Sequence, residues 1–350
     1  MPIGHLKHSA VLILFGVSAF FAFALALLFL VTVRQIIFFL FFSIVVAAAL
    51  RPAVKGLSRY LPYSAALVVV YLSILGSIVS MMVIVVPIVV SEVSNFLISL
   101  PEIVKSVQPI LGFFFDVASR SGLGVDLPSQ MNSVLAKAPE MLPEIISLPG
   151  RVLGAFFGVF TVMALSFYWL LTRDQTLKYL VSFLPEDRRG PVLECVDLAE
   201  QRLGAYVWGL LIASAVLGVL TFIGLSLLGV RFALLLALFT AVVEIIPIIG
   251  PFIAAVPILL TATSQSLMLG IATLAFFLVV QQLEGYVITP AVQQRVVRLS
   301  PFVILLVILL GGSLAGITGA LLAIPTALVL ATVLDVVQKH AWRDGRRQID

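Results

Sequence analysis

From Phe232 to Leu283 the chain carries a single charged side chain, Glu244, and windows free of Asp, Glu, Lys and Arg recur along its length. This spacing of charge decides the fold class. A helix needs about 20 apolar residues to cross a hydrocarbon layer of about 30 Å, and uncharged windows reach that length at Ser9–Val33, Pro62–Val90, Val152–Thr172 and Leu203–Val230. Ile36–Leu50 is shorter, with Arg34 and Arg51 at its ends placed to snorkel. Phe232–Leu283 is long enough for two passes and Leu299–Leu334 for one, which brings the expectation to about eight transmembrane helices. Ser9–Val33 exceeds the apolar region of a signal peptide and reads as a retained first helix.

Composition closes the soluble alternatives. Hydrophobic residues make up 61% of the chain and charged ones 11%, against roughly 45–50% and about 25% in soluble domains. A soluble globular enzyme is excluded. The lone Cys195 rules out a disulfide within one chain, and His5, His8 and His340 lie at the termini, away from any metal site or general base within the membrane. The phosphate-binding G-x-x-x-x-G-K-S/T, the H-E-x-x-H zinc helix, G-x-S-x-G and C-x-x-C are all missing from the sequence. The expectation is an all-α polytopic integral membrane protein that is not an enzyme, with no catalytic residues, no metal and no cofactor.

Orientation follows from where Lys and Arg lie. With the N-terminus inside, 13 of the 21 basic residues fall on the cytoplasmic side, among them Lys7, Arg51, Lys55, Arg59, Arg173, Lys178, Arg188, Arg189, Arg202 and the tail from Lys339 to Arg347. Both termini are expected in the cytoplasm of a bacterial cell, with the chain in its inner membrane. The same count puts Arg295 and Arg298 outside, unless a re-entrant hairpin relocates them. The net charge of +4 calls for no nucleic-acid partner, because cationic loops beside anionic lipid account for it.

The expected organisation runs from N-terminal transmembrane helices at 1–90, through an extracytoplasmic amphipathic helical insertion at 91–150, to a fourth span at 151–172. A cytoplasmic amphipathic segment at 173–204, a C-terminal transport region with broken or re-entrant helices at 205–334 and a basic tail at 335–350 complete it. In the insertion, Val93, Phe96, Leu97, Leu100, Ile103, Val104 and Val107 recur at helical spacing, with Pro101 and Pro109 expected to interrupt the helix. In the cytoplasmic segment Val192, Val196, Ala199 and Leu203 share one face, with Glu194, Asp197, Glu200 and Arg202 on others. Cys195, beside that stripe, reads as a packing residue. Gly150, Gly154 and Gly158 form one small-residue face and Gly312 with Gly316 another, both suited to close helix contact within or between subunits.

The chemistry concentrates where prolines break apolar helices. Each proline removes a backbone donor and frees a carbonyl, and in lipid that carbonyl needs a partner. In Glu244-Ile-Ile-Pro247-Ile-Ile-Gly250-Pro251, followed by Pro257, an unbroken helix would lose the bonds to Val243, Pro247 and Ile253 in quick succession. A broken helix, with Gly250 as a hinge, is expected to supply ion or substrate ligands near the midplane; a kink healed by neighbouring helices is the alternative. Glu244 stands one turn before the break, where an acid costs roughly 2.5–3.5 kcal/mol and must face protein or water. A second polar group, Gln281, Gln282, Glu284, Tyr286 and Thr289, precedes Pro290, with Gly285 as a second hinge candidate. The two acids predict one polar cavity holding a small polar solute or a monovalent cation or proton. The competing reading pairs Glu284 with Arg295 or Arg298 in a structural role.

These motifs carry a resemblance. Leu228-Gly229-Val230, Ile246-Pro247 through Gly250-Pro251 with Pro257, Gln281 through Glu284 with Pro290, Leu299-Ser300-Pro301, Gly311-Gly312, Gly316, Gly319 and Ala323-Ile324-Pro325 resemble the signature of the AI-2E (autoinducer-2 exporter) transporter family of bacterial membrane proteins. The resemblance implies an eight-helix transporter that assembles as a homo-oligomer, a pentamer, and moves small polar solutes or ions out of the cell. Members are described as exporters of the quorum-sensing signal autoinducer-2, others as sodium(lithium)/proton antiporters. Glu244 stands where many members have a polar residue, often Asn, so its carboxylate departs toward a cation or proton role. Glu284 matches the acidic position usual in the family. A non-transporting membrane scaffold is the remaining alternative.

Overall fold

The computed structural model describes residues 23, 36–120, 148–288 and 300–347, and every regular element among them is helical. The helices are α1 (Ile36–Leu57), α2 (Tyr63–Arg120), α3 (Leu148–Ser182), α4 (Glu186–Leu228), α5 (Ala233–Val243), α6 (Ile249–Gln265), α7 (Leu267–Leu283) and α8 (Pro301–Arg347). A single turn of π-helix, Glu284–Ile288, follows α7. The chain is an all-α polytopic membrane protein, and six of these helices are long and apolar enough to cross a bilayer. The expected span Ser9–Val33 lies outside the described residues, apart from residue 23.

α4 is the axis on which the rest is built. Pro185 precedes its first turn, and Gly229 ends it in the left-handed conformation (φ 73°), donating its N–H to Ser226, while the Val230 N–H reaches back to Leu225. That stop is the glycine-capped helix end in which orphan carbonyls find donors. From Glu200 to Gly229 the helix is about 44 Å long, close to the full thickness of a bilayer with its headgroups, about 40–45 Å. The centre of that stretch falls at Ser214. α1 runs antiparallel to α4: Arg51 meets Glu200 and, further back along α1, Ala48 meets Gly204, where an added Cβ would lie 2.5 Å from the Ala48 carbonyl oxygen; the Trp208 indole donates to the Ala49 carbonyl at 2.8 Å.

Three apolar clusters hold the helices together. Ala47, Leu50 and Val54 of α1 pack with Ala66, Leu67 and Tyr71 of α2 and with Met163 and Leu170 of α3. Val45 and Ala48 of α1 pack with Leu203 and Tyr206 of α4 and with Ile308, Ile324 and Leu328 of α8. Leu225, Leu236, Ala254, Ile258 and Phe277 join α4, α5, α6 and α7.

The broken or re-entrant helices expected in the C-terminal half take the form of two hairpins, each in place of a full pass. α5 has 11 residues, about 16 Å, too short to cross. The chain turns at Glu244–Ile248 and α6 returns beside it, so that Arg231 before α5 and Gln265 at the end of α6 line one cavity. Phe232–Leu283 therefore makes a hairpin followed by one apolar helix, α7, whose far end returns to the hairpin's tip at Glu284. In α8 the helical backbone fails at Ala315 and Gly316 (φ 60°, ψ −143°), and the two arms fold against each other. The contact is as close as backbones permit, since a Cβ on Gly311 would lie 2.4 Å from the Gly319 carbonyl oxygen. Leu299–Leu334 is thus a second hairpin, and the close pair is Gly311 with Gly319, while Gly316 makes the turn.

The hairpins enter from opposite ends of α4. The mouth of α5–α6 lies beyond Gly229. The outgoing arm of α8 runs to the other end, where Arg202 donates to Thr332 (3.0 Å) and Asp335 (2.6 Å) and Glu194 holds Lys339 and His340. Ile246 and Ile249, at the first hairpin's tip, pack against the cluster that contains Ile308 and Ile324 of the second.

The insertion also differs from expectation at its start. α2 continues as one helix of 58 residues through Pro87, Pro101 and Pro109, so the boundary at 90/91 falls within it. Leu97, Ile103, Val104 and Val107 are buried, and Phe96 packs edge-on against Phe232 at 5.5 Å. This packing on the α5–α6 mouth outweighs the bond each proline removes. Residues 121–147 lie outside the described set.

Candidate functional site

Glu244 closes α5, its backbone N–H bonded to Thr240 at 3.0 Å. The turn that follows repairs most of what the prolines remove. Val243, whose carbonyl Pro247 would orphan in an unbroken helix, instead accepts from Ile246 at 3.0 Å, and the Gly250 N–H donates to Ile246 at 2.8 Å. Pro251 falls in the first turn of α6, where no intrahelical donor is needed. Gly250 is required by contact: a Cβ there would lie 2.4 Å from the Val243 carbonyl oxygen and 2.9 Å from the Glu244 Cα. Between Pro247 and α6, Ile248 sits at φ 71°. A β-branched residue in that region is strained by about 1–3 kcal/mol.

The tip carries an acid into the protein. Glu244 is 4% exposed and its Oε2 has no hydrogen-bond partner. Glu284, at the end of α7 where the π turn begins, brings its carboxyl group against that of Glu244, and Gln281 lies beside Glu284 one turn back. Ser214 adds a third group by register. Gly218 of α4 meets Ala237 and Ala241 of the antiparallel α5, and one turn further along each helix Ser214 and Glu244 stand at the same depth. Ser214 is buried and its hydroxyl is unpartnered too. Two carboxyl groups and an amide therefore meet at the tip, and the Ser214 hydroxyl stands at about the same depth on α4.

Of the residues singled out in the sequence, Glu244, Pro247, Gly250, Pro251, Gln281 and Glu284 gather at this tip. Gln282 faces outward and is exposed. Gly285 has open space where a Cβ would be. Thr289, Pro290, Arg295 and Arg298 lie outside the described residues. Ser214 carried no signal of its own, being one serine in an apolar run, and the π turn at Glu284 none either.

A second polar cluster went unread in the sequence. Glu200 of α4, 4% exposed, accepts from Arg51 (2.5 Å), from Arg173 Nε (2.8 and 3.0 Å) and from the Trp169 indole (3.2 Å). Asp197 accepts from Arg51 at 3.1 Å and from Arg173 at 2.6 Å. Burial would raise the Asp197 carboxyl, but the Arg51 hydrogen bond and the two guanidinium charges outweigh it and hold the group below its ordinary value. The cluster ties α1, α3 and α4 together at the arginine-rich end. Its chemistry is that of a lock, because every charge in it is answered.

Two opposed hairpins, one presenting an unanswered acid at midplane depth, define the class as membrane transport protein: backbone breaks and ionisable groups survive at that depth where they line a path for something polar. The comparisons with known proteins give the family. The model of the AI-2E family transporter matches residues 15–339, and the chain belongs to that family. Among its relatives, the Bacillus subtilis (strain 168) protein named "Putative transport protein YueF" is 26% identical over 88% of this chain and 87% of its own length. "Putative transport protein YrrI" of the same organism is 34% identical over 53% of this chain and 52% of its own. A Methanothermobacter thermautotrophicus protein named "Putative transport protein" is 22% identical over 86% and 88%.

Proposed function

We propose that the chain is a secondary transporter that exports a small hydrophilic solute, autoinducer-2-like by its family, by alternating access around the tip of the α5–α6 hairpin. One observation carries this: the buried Glu244 carboxyl, with an unpartnered oxygen, meets Glu284 from a different helix at the tip of a helical hairpin. An unpaired polar group there costs about 1–3 kcal/mol, which a solute's hydroxyl groups would recover. Two carboxyl groups side by side accept from or donate to adjacent hydroxyls, with Gln281 and Ser214 completing the ring. Gly250 lets the tip approach α5, and the strained Ile248 leaves it a second conformation within reach.

The bilayer is the bacterial inner membrane, with both termini cytoplasmic. The grouping of Arg51, Lys55, Arg59, Arg173, Lys178, Arg188, Arg189, Arg202 and Lys339 at one end of the helices supports that orientation. The second hairpin is anchored at that same end, where its outgoing arm meets Arg202. Assembly is a homo-oligomer, a pentamer, for which the open faces at Gly154 and Gly158 leave room.

A second reading is favoured by the carboxyl pair itself. Two acids with no basic group beside them among the described residues suit a monovalent cation exchanged for a proton. A proteoliposome flux panel separates the readings. Export of labelled solute that is lost in Glu284→Gln and Gly250→Leu, in variants that insert and assemble normally, supports the first. Sodium-dependent proton movement abolished by Glu244→Gln supports the second, and unaltered fluxes in all three variants refute both.

A further inference from the structure

A second polar cavity lies far from the acid pair, where α2 crosses the mouth of the α5–α6 hairpin. It has a volume of about 270 Å³ and is lined on one side by Ser99, Glu102 and Ser106 of α2 and on the other by Arg231, Thr261, Ser264 and Gln265. At about 30 Å³ per water it holds about nine, space for a small organic molecule. From Glu244 it is separated by the length of α5, about 16 Å.

The hydrogen-bonding state of its walls narrows what fits. Ser99, Ser106, Thr261 and Ser264 each spend their hydroxyl proton on a carbonyl of their own helix: Phe96, Glu102, Pro257 and Thr261 respectively. What they turn to the cavity is oxygen lone pairs. With the Glu102 carboxylate they make an acceptor-rich wall suited to an ammonium group. Arg231 supplies the opposite character, a guanidinium whose fork matches a carboxylate. Among the described residues no ion pair joins Arg231 to Glu102. One positive and one negative group therefore face a common space without cancelling each other.

We propose that this cavity is a binding site for a small zwitterion of the free amino acid class, its ammonium group held by Glu102 and the serine oxygens and its carboxylate by Arg231. A ligand there bridges α2 to both ends of the hairpin, and so couples occupancy at the Gly229 end to the hairpin that carries Glu244. A purely anionic or purely cationic ligand leaves one of the two charged walls unanswered. The site stands on its own residues and does not depend on which solute crosses the membrane.

The test is equilibrium binding of radiolabelled glycine, L-serine and L-glutamine to the purified full chain in lipid nanodiscs, with ethanolamine and propionate as competitors. Saturable binding of at least one zwitterion is expected, weakened on the order of tenfold or more by Arg231→Gln and by Glu102→Gln, the loss of a charge-assisted contact. Arg188→Gln, on an exposed residue at the other end of α4, leaves it unchanged, and neither competitor displaces it at equal concentration. No saturable binding of any of the three overturns the proposal. Binding that survives Arg231→Gln, or that ethanolamine or propionate alone matches, overturns it as well. Circular dichroism and size-exclusion profiles of the variants confirm that lost binding is not lost fold.

Discussion

Replacing Glu200 with Gln removes one charge from the most densely bonded polar group among the described residues. Glu200 accepts from Arg51, from Arg173 at both oxygens and from Trp169. A glutamine retains one acceptor oxygen and brings an amide donor toward two guanidinium groups that need acceptors. Breaking a buried ion pair by removing one partner costs about 3–5 kcal/mol. The cost is lower here because Asp197, half exposed, still accepts from both arginines. We expect a loss of about 2–4 kcal/mol, which at about 2–4 °C per kcal/mol for a sizeable domain lowers the melting temperature by roughly 4–16 °C. The assay is thermal unfolding of the detergent-solubilised chain, followed by tryptophan fluorescence, with Arg188→Gln as control. Arg188 is 74% exposed and its ion contact is 4.0 Å long, so that change is worth under about 0.5 kcal/mol. A double-mutant cycle with Arg51→Gln should return a coupling of about 1–3 kcal/mol. If Glu200→Gln melts with the control, the cluster is not a lock and the argument from its distances fails.

Two glycines that look alike in sequence separate in the same assay. Gly319→Ala places a Cβ about 2.0 Å from the Gly311 carbonyl oxygen and forces the α8 arms apart, whereas Gly312→Ala meets only the Ala320 Cβ at 3.9 Å and is tolerated. Ile248→Gly, which discards apolar contact but relieves the left-handed backbone, should fall within about 1 kcal/mol of the parent protein because the two effects oppose each other. Asp197 has a native value below its ordinary 3.8; its contribution is complete above that value and lost as pH falls through the native one. The melting-temperature gap between parent and Asp197→Asn should therefore be open at neutral pH and close in acid; a gap that does not change with pH contradicts the sign.

The membrane fold was legible because lipid leaves so few options: uncharged windows became helices, Gly229 became a helix stop, and Pro247, Gly250 and Pro251 became a break. The direction of the chain after each break was harder to read. From Arg231 to Pro247 is about 24 Å of helix, short of a crossing, which is why the chain turns back there instead of making the expected pass. Nothing equivalent marked Gly316, because Gly311, Gly312, Gly316 and Gly319 fit helix-to-helix contact as well as a turn. The proline pair at 101 and 109 misled because propensity is local, while the burial of Ile103, Val104 and Val107 depends on α5 and α6, which follow much later in the chain. The Glu200 cluster joins residues up to 149 positions apart, and no spacing rule links an arginine at a helix end to a carboxylate on another helix.

The two costly features of the first hairpin coincide in place. An acid with an unmet oxygen and a β-branched residue at positive φ lie four positions apart, at the depth where water is scarcest. Each would be removed by an ordinary change, Glu244→Leu for the first and Ile248→Gly for the second, and neither change would disturb the helices that anchor the hairpin. A fold that only had to span the bilayer gains nothing by keeping them. By contrast, Arg51, Arg173, Asp197 and Glu200 answer one another at the membrane boundary. An ionisable group left unmet at the tip, against ionisable groups all satisfied at the arginine-rich end, is the contrast between a site and a scaffold. On the proposed reading, the α5–α6 tip is the part of the molecule whose conformation a passing solute changes, and the arginine-rich end is the part that holds still.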